Sequence, residues 1–210
     1  MIIAIDGPAG SGKGTLARSL AAHFSYPHLD TGKLYRAVGL SVIETGGDPA
    51  DEKSAIDAAR AINPQTIDNA NLLGDEAAAA ASKVAAIEAV RAILLTFQRR
   101  FANSPPGGAG GAVLDGRDIG TVVCPGADVK FFITASAEVR AARRHKELLD
   151  RGEPSIYARV LQDMKVRDER DQSRSVAPLK PALDAMVVDT SELDATAVFK
   201  TAVDLVLARS

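Results

Sequence analysis

The chain has 210 residues and a nearly balanced charge, with 25 Lys and Arg against 27 Asp and Glu and a formal net charge of -2 at pH 7. This balance leaves no broad basic surface for nucleic acid or an anionic membrane. Hydrophobic residues make up 46% and charged residues 25%, which excludes an extensively disordered chain. The length predicts one domain, and no apolar run reaches the roughly 20 residues that a membrane-spanning helix needs.

Cysteine usage and the start of the chain bear on location. The single cysteine, Cys124, excludes an internal disulfide and a multi-cysteine metal site, and it fits a reducing compartment. The first residues do not form a basic segment followed by an apolar core, so we expect no secretory signal. These features predict a cytoplasmic protein.

Apolar runs and helical patterns alternate along the chain. Residues 2–6 are a short apolar run that ends at an acid, which is typical of a strand buried on both faces, and a helical stripe follows over 15–24. The later predicted strands are 112–115, 129–133 and 186–189, and the later predicted helices are about 136–150, 156–170 and 196–208. This alternation predicts an α/β fold with a parallel sheet flanked by helices.

Two segments depart from this alternation. Residues 103–111, rich in Pro and Gly, predict a flexible surface loop rather than helix or strand. Residues 75–86 are rich in alanine, which predicts a helix of small side chains with Ser82 inside it.

The segment between the first strand and the first helix is a glycine-rich phosphate loop. Its residues are Gly7, Pro8, Ala9, Gly10, Ser11, Gly12, Lys13, Gly14 and Thr15, and they match G-x-x-x-x-G-K. Such a loop turns successive backbone N–H groups toward one anion, and the following helix adds the positive end of its dipole. We therefore predict a phosphate-loop NTPase fold in which these residues bind ATP and Lys13 reaches the β- and γ-phosphates.

The last position of the loop motif differs from the usual pattern. Gly14 stands where Ser or Thr normally helps to place Mg²⁺, and the hydroxyl comes one residue later, at Thr15. We expect Mg²⁺ as the cofactor of ATP, with Thr15 near it. Asp115 ends a predicted strand, where an acid of phosphate-loop enzymes supports Mg²⁺, here through water.

Three further motifs occur in order after the loop. Asp30-Thr31-Gly32 is followed by Tyr35-Arg36, residues 115–123 read DGRDIGTVV, and residues 167–179 read RDERDQSRSVAPL. Together with the GKGT sequence of the loop, these segments resemble the motifs of bacterial cytidylate kinases, members of the nucleoside monophosphate kinases. The resemblance covers nearly the whole chain and implies transfer of the ATP γ-phosphoryl group to CMP or dCMP.

The resemblance also implies roles for particular side chains. Lys13, Arg167 and Arg174 are the implied catalytic residues. The implied acceptor-binding residues are Thr31, Arg36, Ser82, Arg91, Arg117, Asp118, Asp171 and Arg174. Arginines suit this chemistry because they stay charged and bind phosphate bidentately where charge spreads over the transferring oxygens.

The spacing of several of these residues can be checked against a helix. The spacings of four and three residues place Arg167, Asp171 and Arg174 on one face of a helix. This face could close over the phosphates as a lid, or it could be a solvated ladder of ion pairs. Ser82 and Arg91 are nine apart, so a straight helix would separate them, and reading one base together requires a break near residues 87–88.

Other charged residues are less clearly assigned by the sequence. Arg140, Arg143, Arg144 and Arg170 are further lid candidates or plain surface charges. Residues 140–174 carry ten Lys and Arg against seven Asp and Glu, a local net of +3. The histidines at 23, 28 and 145 share no spacing that predicts a metal site or a catalytic base.

The resemblance predicts a division of the single domain, 1–210. A core comprises 1–36, 112–150 and 180–210, an acceptor-binding segment comprises 37–102, the loop is 103–111 and the lid is about 151–179. The acceptor-binding segment is shorter than is typical of the family between 51 and 75, and Leu72-Leu73-Gly74 stands where an arginine is expected. This departure predicts a reduced acceptor-binding region and weaker discrimination between CMP and UMP.

Competing functions remain at this point. Another phosphate-loop kinase would act on UMP, AMP or a shikimate-like molecule. A nucleotide switch would need an N-K-x-D guanine-reading segment, which is absent from the sequence. A nucleic-acid-binding ATPase would need a basic surface and aromatic residues for base stacking, whereas this chain has a near-neutral charge, six Phe, three Tyr and no Trp. A scaffold without activity is disfavoured by the intact Lys13. We expect a monomer that binds ATP and CMP or dCMP, without nucleic acid or membrane.

Overall fold

A parallel sheet forms the centre of the protein, which is described by a computed structural model. The structure describes residues 1–63, 72 and 74–209. The sheet has the order β2-β3-β1-β4-β5 and every pairing is parallel. Its strands are β1 (Ile2–Asp6), β2 (His28–Asp30), β3 (Ala112–Gly116), β4 (Val129–Thr134) and β5 (Met186–Asp189). The predicted α/β class and the predicted strands are confirmed.

Helices cover both faces and one end of this sheet. In the described part of the chain they are α1 (Lys13–Phe24), α2 (Thr31–Glu44), α3 (Glu52–Ala61), α4 (Asp75–Val84), α5 (Glu88–Asn103), α6 (Ala137–Asp150), α7 (Tyr157–Ser173) and α8 (Ala195–Leu207). A π-helical turn, Ile119–Val123, follows β3. The predicted last three helices are confirmed within a few residues.

The central strand β1 is buried on both faces, as its apolar run predicted. Ile3 and Ile5 pack into a core with α1 and α8, whereas Ala4 packs with Leu114 into a second core on the opposite face. All four side chains have no solvent exposure. Side chains alternate between faces along a strand, so both faces of β1 require apolar residues.

Two smaller cores lie outside the sheet. One joins helices α2 to α5, which include described residues of the segment predicted to bind the acceptor, and the other joins α6 to α7. Within the first, a Cβ on Gly39 of α2 would lie 2.6 Å from the Cβ of Ala80 on α4. The small residues of the alanine-rich helix therefore let α2 and α4 approach closely.

The connection between α4 and α5 is a break of three residues. α4 ends at Val84 and α5 starts at Glu88, with Ile87 in an extended conformation between them. This confirms the predicted break near 87–88, so Ser82 and Arg91 lie on two separate helices.

Two other predictions need comment. The predicted loop 103–111 is slightly more regular than expected, because α5 includes Asn103 and Pro106–Gly108 forms a short 3-10 turn. Much of the predicted shortened segment, namely residues 64–71 and 73, lies outside the described residues.

Candidate active site at the carboxyl edge of the sheet

The phosphate loop connects the carboxyl end of β1 to the first turn of α1. A Cβ on Gly7 would lie 2.0 Å from the carbonyl oxygen of Ile133, so only glycine fits there. Gly12 caps α1 with a φ of 91°, a conformation that L side chains rarely adopt. Both glycines are thus required by the backbone path, which aims the N-terminus of α1 at the edge of the sheet.

Lys13 lies in the first turn of α1, where its ammonium donates to the carbonyl oxygen of Pro8 at 3.3 Å. Burial and the nearby positive charge of Arg117 lower the pKa of Lys13 to about 7. Because an anion beside the ammonium would favour its charged form, phosphate binding should raise this pKa again.

The acid at the end of β3 faces the same helix. A Cβ on Gly14 would lie 3.7 Å from Oδ2 of Asp115, and the Asp115 carboxyl is buried. Thr31 donates to the backbone carbonyl of Asp115 at 2.8 Å. Thr15, by contrast, is exposed and its hydroxyl accepts from Arg18 at 3.4 Å. In the loop, the position that faces Asp115 is therefore occupied by Gly14.

All three residues predicted to read the acceptor base are buried, and two of them, Arg91 and Asp118, contact each other. The guanidinium of Arg91 forms an ion pair with Asp118, donates to the carbonyl of Ala85 at 3.2 Å and lies 5.5 Å from the ring centre of Tyr35. The hydroxyl of Ser82 accepts from Arg170 at 3.1 Å. The break between α4 and α5 supplies the Ala85 carbonyl that holds Arg91.

The residue pattern at this place suits an aminopyrimidine. The carboxylate of Asp118 can accept from an exocyclic amine, the guanidinium of Arg91 can donate to ring acceptors, and the hydroxyl of Ser82 can do either. Asp118, Arg91 and Ser82 are 5%, 7% and 6% exposed, so a base bound among them would be read away from bulk water.

Arginines from three segments lie beside this region. Arg117, after β3, donates to Asp171 of α7 at 2.9 Å. Arg174, which caps α7, donates to the carbonyl of Ala177 at 2.6 Å and lies 4.0 Å from Asp171. Arg36 of α2 donates to the carbonyl of Leu72 at 3.3 Å.

Electrostatics in this cluster favour an anion. Burial and the neighbouring Arg117 lower the pKa of Arg167 to about 10. Burial disfavours the charged form of Asp171, yet Arg117 and Arg167 hold the pKa of that carboxyl below its usual range. Among the described residues, buried guanidinium nitrogens of Arg36, Arg167 and Arg174 have no hydrogen-bond acceptor. A phosphate group would supply acceptors to these donors.

The other lid candidates have structural partners. Arg140 donates to the carbonyl of Ala9 in the phosphate loop at 3.1 Å and forms a bidentate pair with Asp168 of α7 at 3.1 and 2.6 Å. Arg143 donates to the hydroxyl of Thr190 at 2.9 Å. Arg144 pairs with Asp75. Arg140 therefore joins the loop to the lid, which sequence spacing alone did not indicate.

Two acids near the loop also have defined partners. Asp6, at the end of β1, accepts from the backbone N–H groups of Ile119 and Gly120 at 2.7 and 2.8 Å, and burial raises its pKa to about 7. Asp30 caps α2 by accepting from the Lys33 N–H at 3.3 Å. The short apolar run before Asp6 was the sequence signal for its position, although its partners lie more than 100 residues away. No such run precedes Asp30.

The fold and this edge define a class of protein. A parallel sheet whose central strand ends in a glycine-rich loop and helix N-terminus, with a lysine and converging arginines, is a phosphate-loop nucleotide-binding domain of the phosphotransferase type.

The comparisons with known proteins then identify the family. A family model described as cytidylate kinase matches residues 3–208. A cytidylate kinase of Paramagnetospirillum magneticum is 60% identical over 98% of this chain and 97% of its own length, and one of Rhodospirillum rubrum is 57% identical over 100% and 99%. The chain belongs to the cytidylate kinase family.

The likeness to solved structures concerns the fold alone. An uncharacterized protein from Eubacterium ventriosum has a TM-score of 0.56 and 16% identity, covering 100% of this chain and 99% of its own. In the described part of this chain, none of the helices has the length and apolar character required to cross a membrane.

Proposed function

We propose that the chain is an ATP-dependent phosphotransferase that converts CMP or dCMP to CDP or dCDP. Membership of the cytidylate kinase family supports this activity, and the groups expected for both substrates lie along one edge of the sheet. The single observation that carries the site assignment is the buried ion pair of Arg91 and Asp118 beside Arg174.

The donor nucleotide is assigned to the phosphate loop. The backbone N–H groups of residues 7–15 and the N-terminus of α1 bind the phosphates of ATP, and Lys13 places its charge at the β- and γ-phosphates. Because the pKa of Lys13 is lowered to about 7, part of the free protein has a neutral amine at this position near neutral pH. That amine takes up a proton when the phosphates bind.

The acceptor nucleotide is assigned to the region between α2, α4 and the lid. Ser82, Arg91 and Asp118 read the cytosine edge, while Thr31, Arg36, Arg117 and Arg174 hold the phosphate end. Asp171 has its charge maintained by Arg117 and Arg167 and is assigned to the sugar hydroxyl. The base and phosphate sites share a lid, so binding of both ends favours its closed position.

Phosphoryl transfer then follows from alignment and charge. The acceptor oxygen attacks the γ-phosphorus in line with the leaving oxygen of ADP, and negative charge spreads over the transferring oxygens. Lys13, Arg167 and Arg174 supply positive charge there, and closure of the lid excludes water that would otherwise hydrolyse ATP.

The donor set near α1 fits a magnesium ion. The buried Asp115 carboxyl turns Oδ2 toward the first turn of α1, and carboxylate and hydroxyl oxygens are the ligands that Mg²⁺ prefers. Asp115, acting through water, would hold the ion, which when bound would neutralise charge on the β- and γ-phosphates. Thr15 would join it only after its hydroxyl leaves the contact with Arg18.

The same proposal covers organisation and location. Residues 37–102 bind the acceptor, residues 151–179 form the lid, and the rest forms the core apart from the loop 103–111. The groups assigned to both substrates come from one chain, which supports a working monomer. The buried single thiol of Cys124 supports a cytoplasmic enzyme.

A panel of acceptors tests the proposed function. The purified chain is incubated with ATP and Mg²⁺ and with CMP, dCMP, UMP or AMP, and ADP release is followed by a coupled assay. We expect CMP and dCMP to be the best acceptors, with UMP closer to them than in family members that have a longer acceptor-binding segment. AMP as the best acceptor would contradict the assignment.

A further inference from the structure

A histidine contacts the acid proposed to support the metal ion. Nε2 of His28 lies 2.7 Å from Oδ1 of Asp115, across 87 residues of sequence. The His28 side chain is 18% exposed and that of Asp115 is 4% exposed. The pair is thus a short and largely enclosed contact, and no motif of the sequence points to it.

The register of two strands creates this contact. In the parallel pairing of β2 with β3, Asp30 lies opposite Asp115 and His28 lies opposite Val113. Residues two apart on a strand project from the same face, so His28 and Asp115 share one face of the sheet. The imidazole is long enough to reach the carboxyl of its diagonal neighbour.

The contact fixes which way the carboxyl faces. The imidazole hydrogen bonds to Oδ1, while Oδ2 is directed toward the first turn of α1. The hydroxyl of Thr31 separately fixes the backbone carbonyl of Asp115. The terminal torsion of an aspartate is otherwise broad, so without the imidazole the carboxyl could turn both oxygens away from α1.

The residue at position 14 makes this orientation important. Phosphate-loop proteins usually place a Ser or Thr hydroxyl at that position for the metal ion, but this chain has Gly14. The exposed Thr15 hydroxyl contacts Arg18 instead. A Cβ built at Gly14 would lie 3.5 Å from Nη1 of Arg18 and 3.7 Å from Oδ2 of Asp115, so this carboxylate oxygen faces the position that normally carries the hydroxyl.

We infer that His28 is a positioning residue for the divalent cation that accompanies the donor nucleotide. It donates its Nε2–H to Oδ1 of Asp115 and thereby holds Oδ2 toward the cation and its water. This inference rests on the proposed role of Asp115 near Mg²⁺. Partners of this kind orient ligands, and their removal typically lowers metal affinity about 10- to 100-fold.

Two polar substitutions of similar chemistry form the test. In His28→Gln the side-chain amide can take the place of Nε2 and still donate to Asp115, whereas the shorter amide in His28→Asn ends short of it. For each variant and the unchanged chain, the affinity for ADP is measured by calorimetry with Mg²⁺ and again with EDTA. The ratio of the two affinities reports the contribution of the metal ion alone.

We expect His28→Asn to reduce the enhancement of ADP affinity by Mg²⁺ at least about 10-fold, and His28→Gln to retain most of it. With EDTA, all three proteins should bind ADP equally. A purely structural role would instead change ADP affinity with EDTA and the midpoint of thermal unfolding, and would leave the Mg²⁺ enhancement intact.

The outcomes separate this inference from the proposed function. The inference would be overturned if Mg²⁺ enhanced ADP affinity equally in His28→Asn and in the unchanged chain. It would also be overturned if Mg²⁺ had no effect on the ADP affinity of the unchanged chain. The acceptor panel on the unchanged chain tests the kinase assignment independently, because it depends on CMP turnover and not on His28.

Discussion

Replacement of Lys13 by methionine should make the chain more stable at low pH. Burial and Arg117 lower the pKa of Lys13 in the folded protein to about 7, whereas an unfolded lysine has its ordinary pKa of about 10.5. Below pH 7 both states carry the proton, so the folded protein bears the whole cost of the buried charge. As the pH rises above 7, the folded protein releases the proton first and this cost declines.

The magnitude follows from the two pKa values. Each pH unit in which only the unfolded lysine is protonated changes the free energy of unfolding by about 1.4 kcal/mol. Between pH 7 and pH 9, the folded state loses its proton gradually, so the chain should gain about 2 kcal/mol relative to Lys13→Met. Lys13→Met is therefore the more stable protein at pH 6, and its advantage shrinks toward pH 9.

Urea unfolding with EDTA at several pH values measures this difference. Lys53→Met is the matched control, because Lys53 is exposed on α3 and already in water when the protein is folded. Its effect on the free energy of unfolding should be small and should not follow the same trend. A difference between Lys13→Met and the unchanged chain that stays constant from pH 6 to pH 9 would refute the reasoning.

The same pKa predicts proton uptake when a nucleotide binds. Phosphates beside the ammonium restore its charge, so at pH 8 binding of ADP with EDTA should take up about one proton. Calorimetric titrations in buffers with different ionisation enthalpies measure the number directly. Uptake near zero at pH 8 would mean that the free protein already holds Lys13 charged.

Three further substitutions test separate parts of the molecule. Arg174→Ala should lower kcat by about 100-fold or more and leave ADP affinity unchanged. The control is Arg159→Ala, which changes an exposed residue of α7 and should lower neither kcat nor ADP affinity. Equal kcat for the two variants would remove Arg174 from the site. Arg91→Met should raise KM for CMP about 10- to 100-fold with little effect on KM for ATP, and an unchanged KM for CMP would contradict its role. Gly39→Val should lower the free energy of unfolding, measured in urea, by about 2 kcal/mol, because a Cβ at position 39 would lie 2.6 Å from the Cβ of Ala80. An unchanged free energy of unfolding would show that α2 and α4 can separate without cost.

Local sequence was sufficient for much of the fold. Four strands are short runs rich in apolar residues, and the loop between β1 and α1 has glycines where the backbone requires them, so both could be predicted from neighbouring residues. The three-residue strand β2, His28–Asp30, has no such run and was not predicted. The break before Glu88 was also predictable, because a straight helix cannot bring Ser82 and Arg91 together. The family motifs supplied the identities of the remaining proposed site residues.

Contacts between distant segments could not be predicted in this way. The pair of His28 and Asp115 depends on the register of β2 against β3, which no local pattern encodes. The partners of Arg140 depend on how α6 packs against α7. The sequence alone could not show whether Arg140 is a surface charge or, as observed, hydrogen bonds to both Ala9 and Asp168. Long-range packing decides these partners, and a single sequence carries no direct signal for it.

The order of the strands has a consequence for synthesis of the protein. β1 is made before both of its neighbours, because β3 begins at Ala112 and β4 at Val129. At a translation rate of about 5–20 residues per second, the segment Ile2–Asp6 has no strand partner for about 5–20 s. During that time the apolar residues 2–5 and the loop that follows Asp6 lack their sheet partners. Newly made chains therefore complete the centre of the sheet, and with it the nucleotide-binding edge, only after residues 112–134 have emerged.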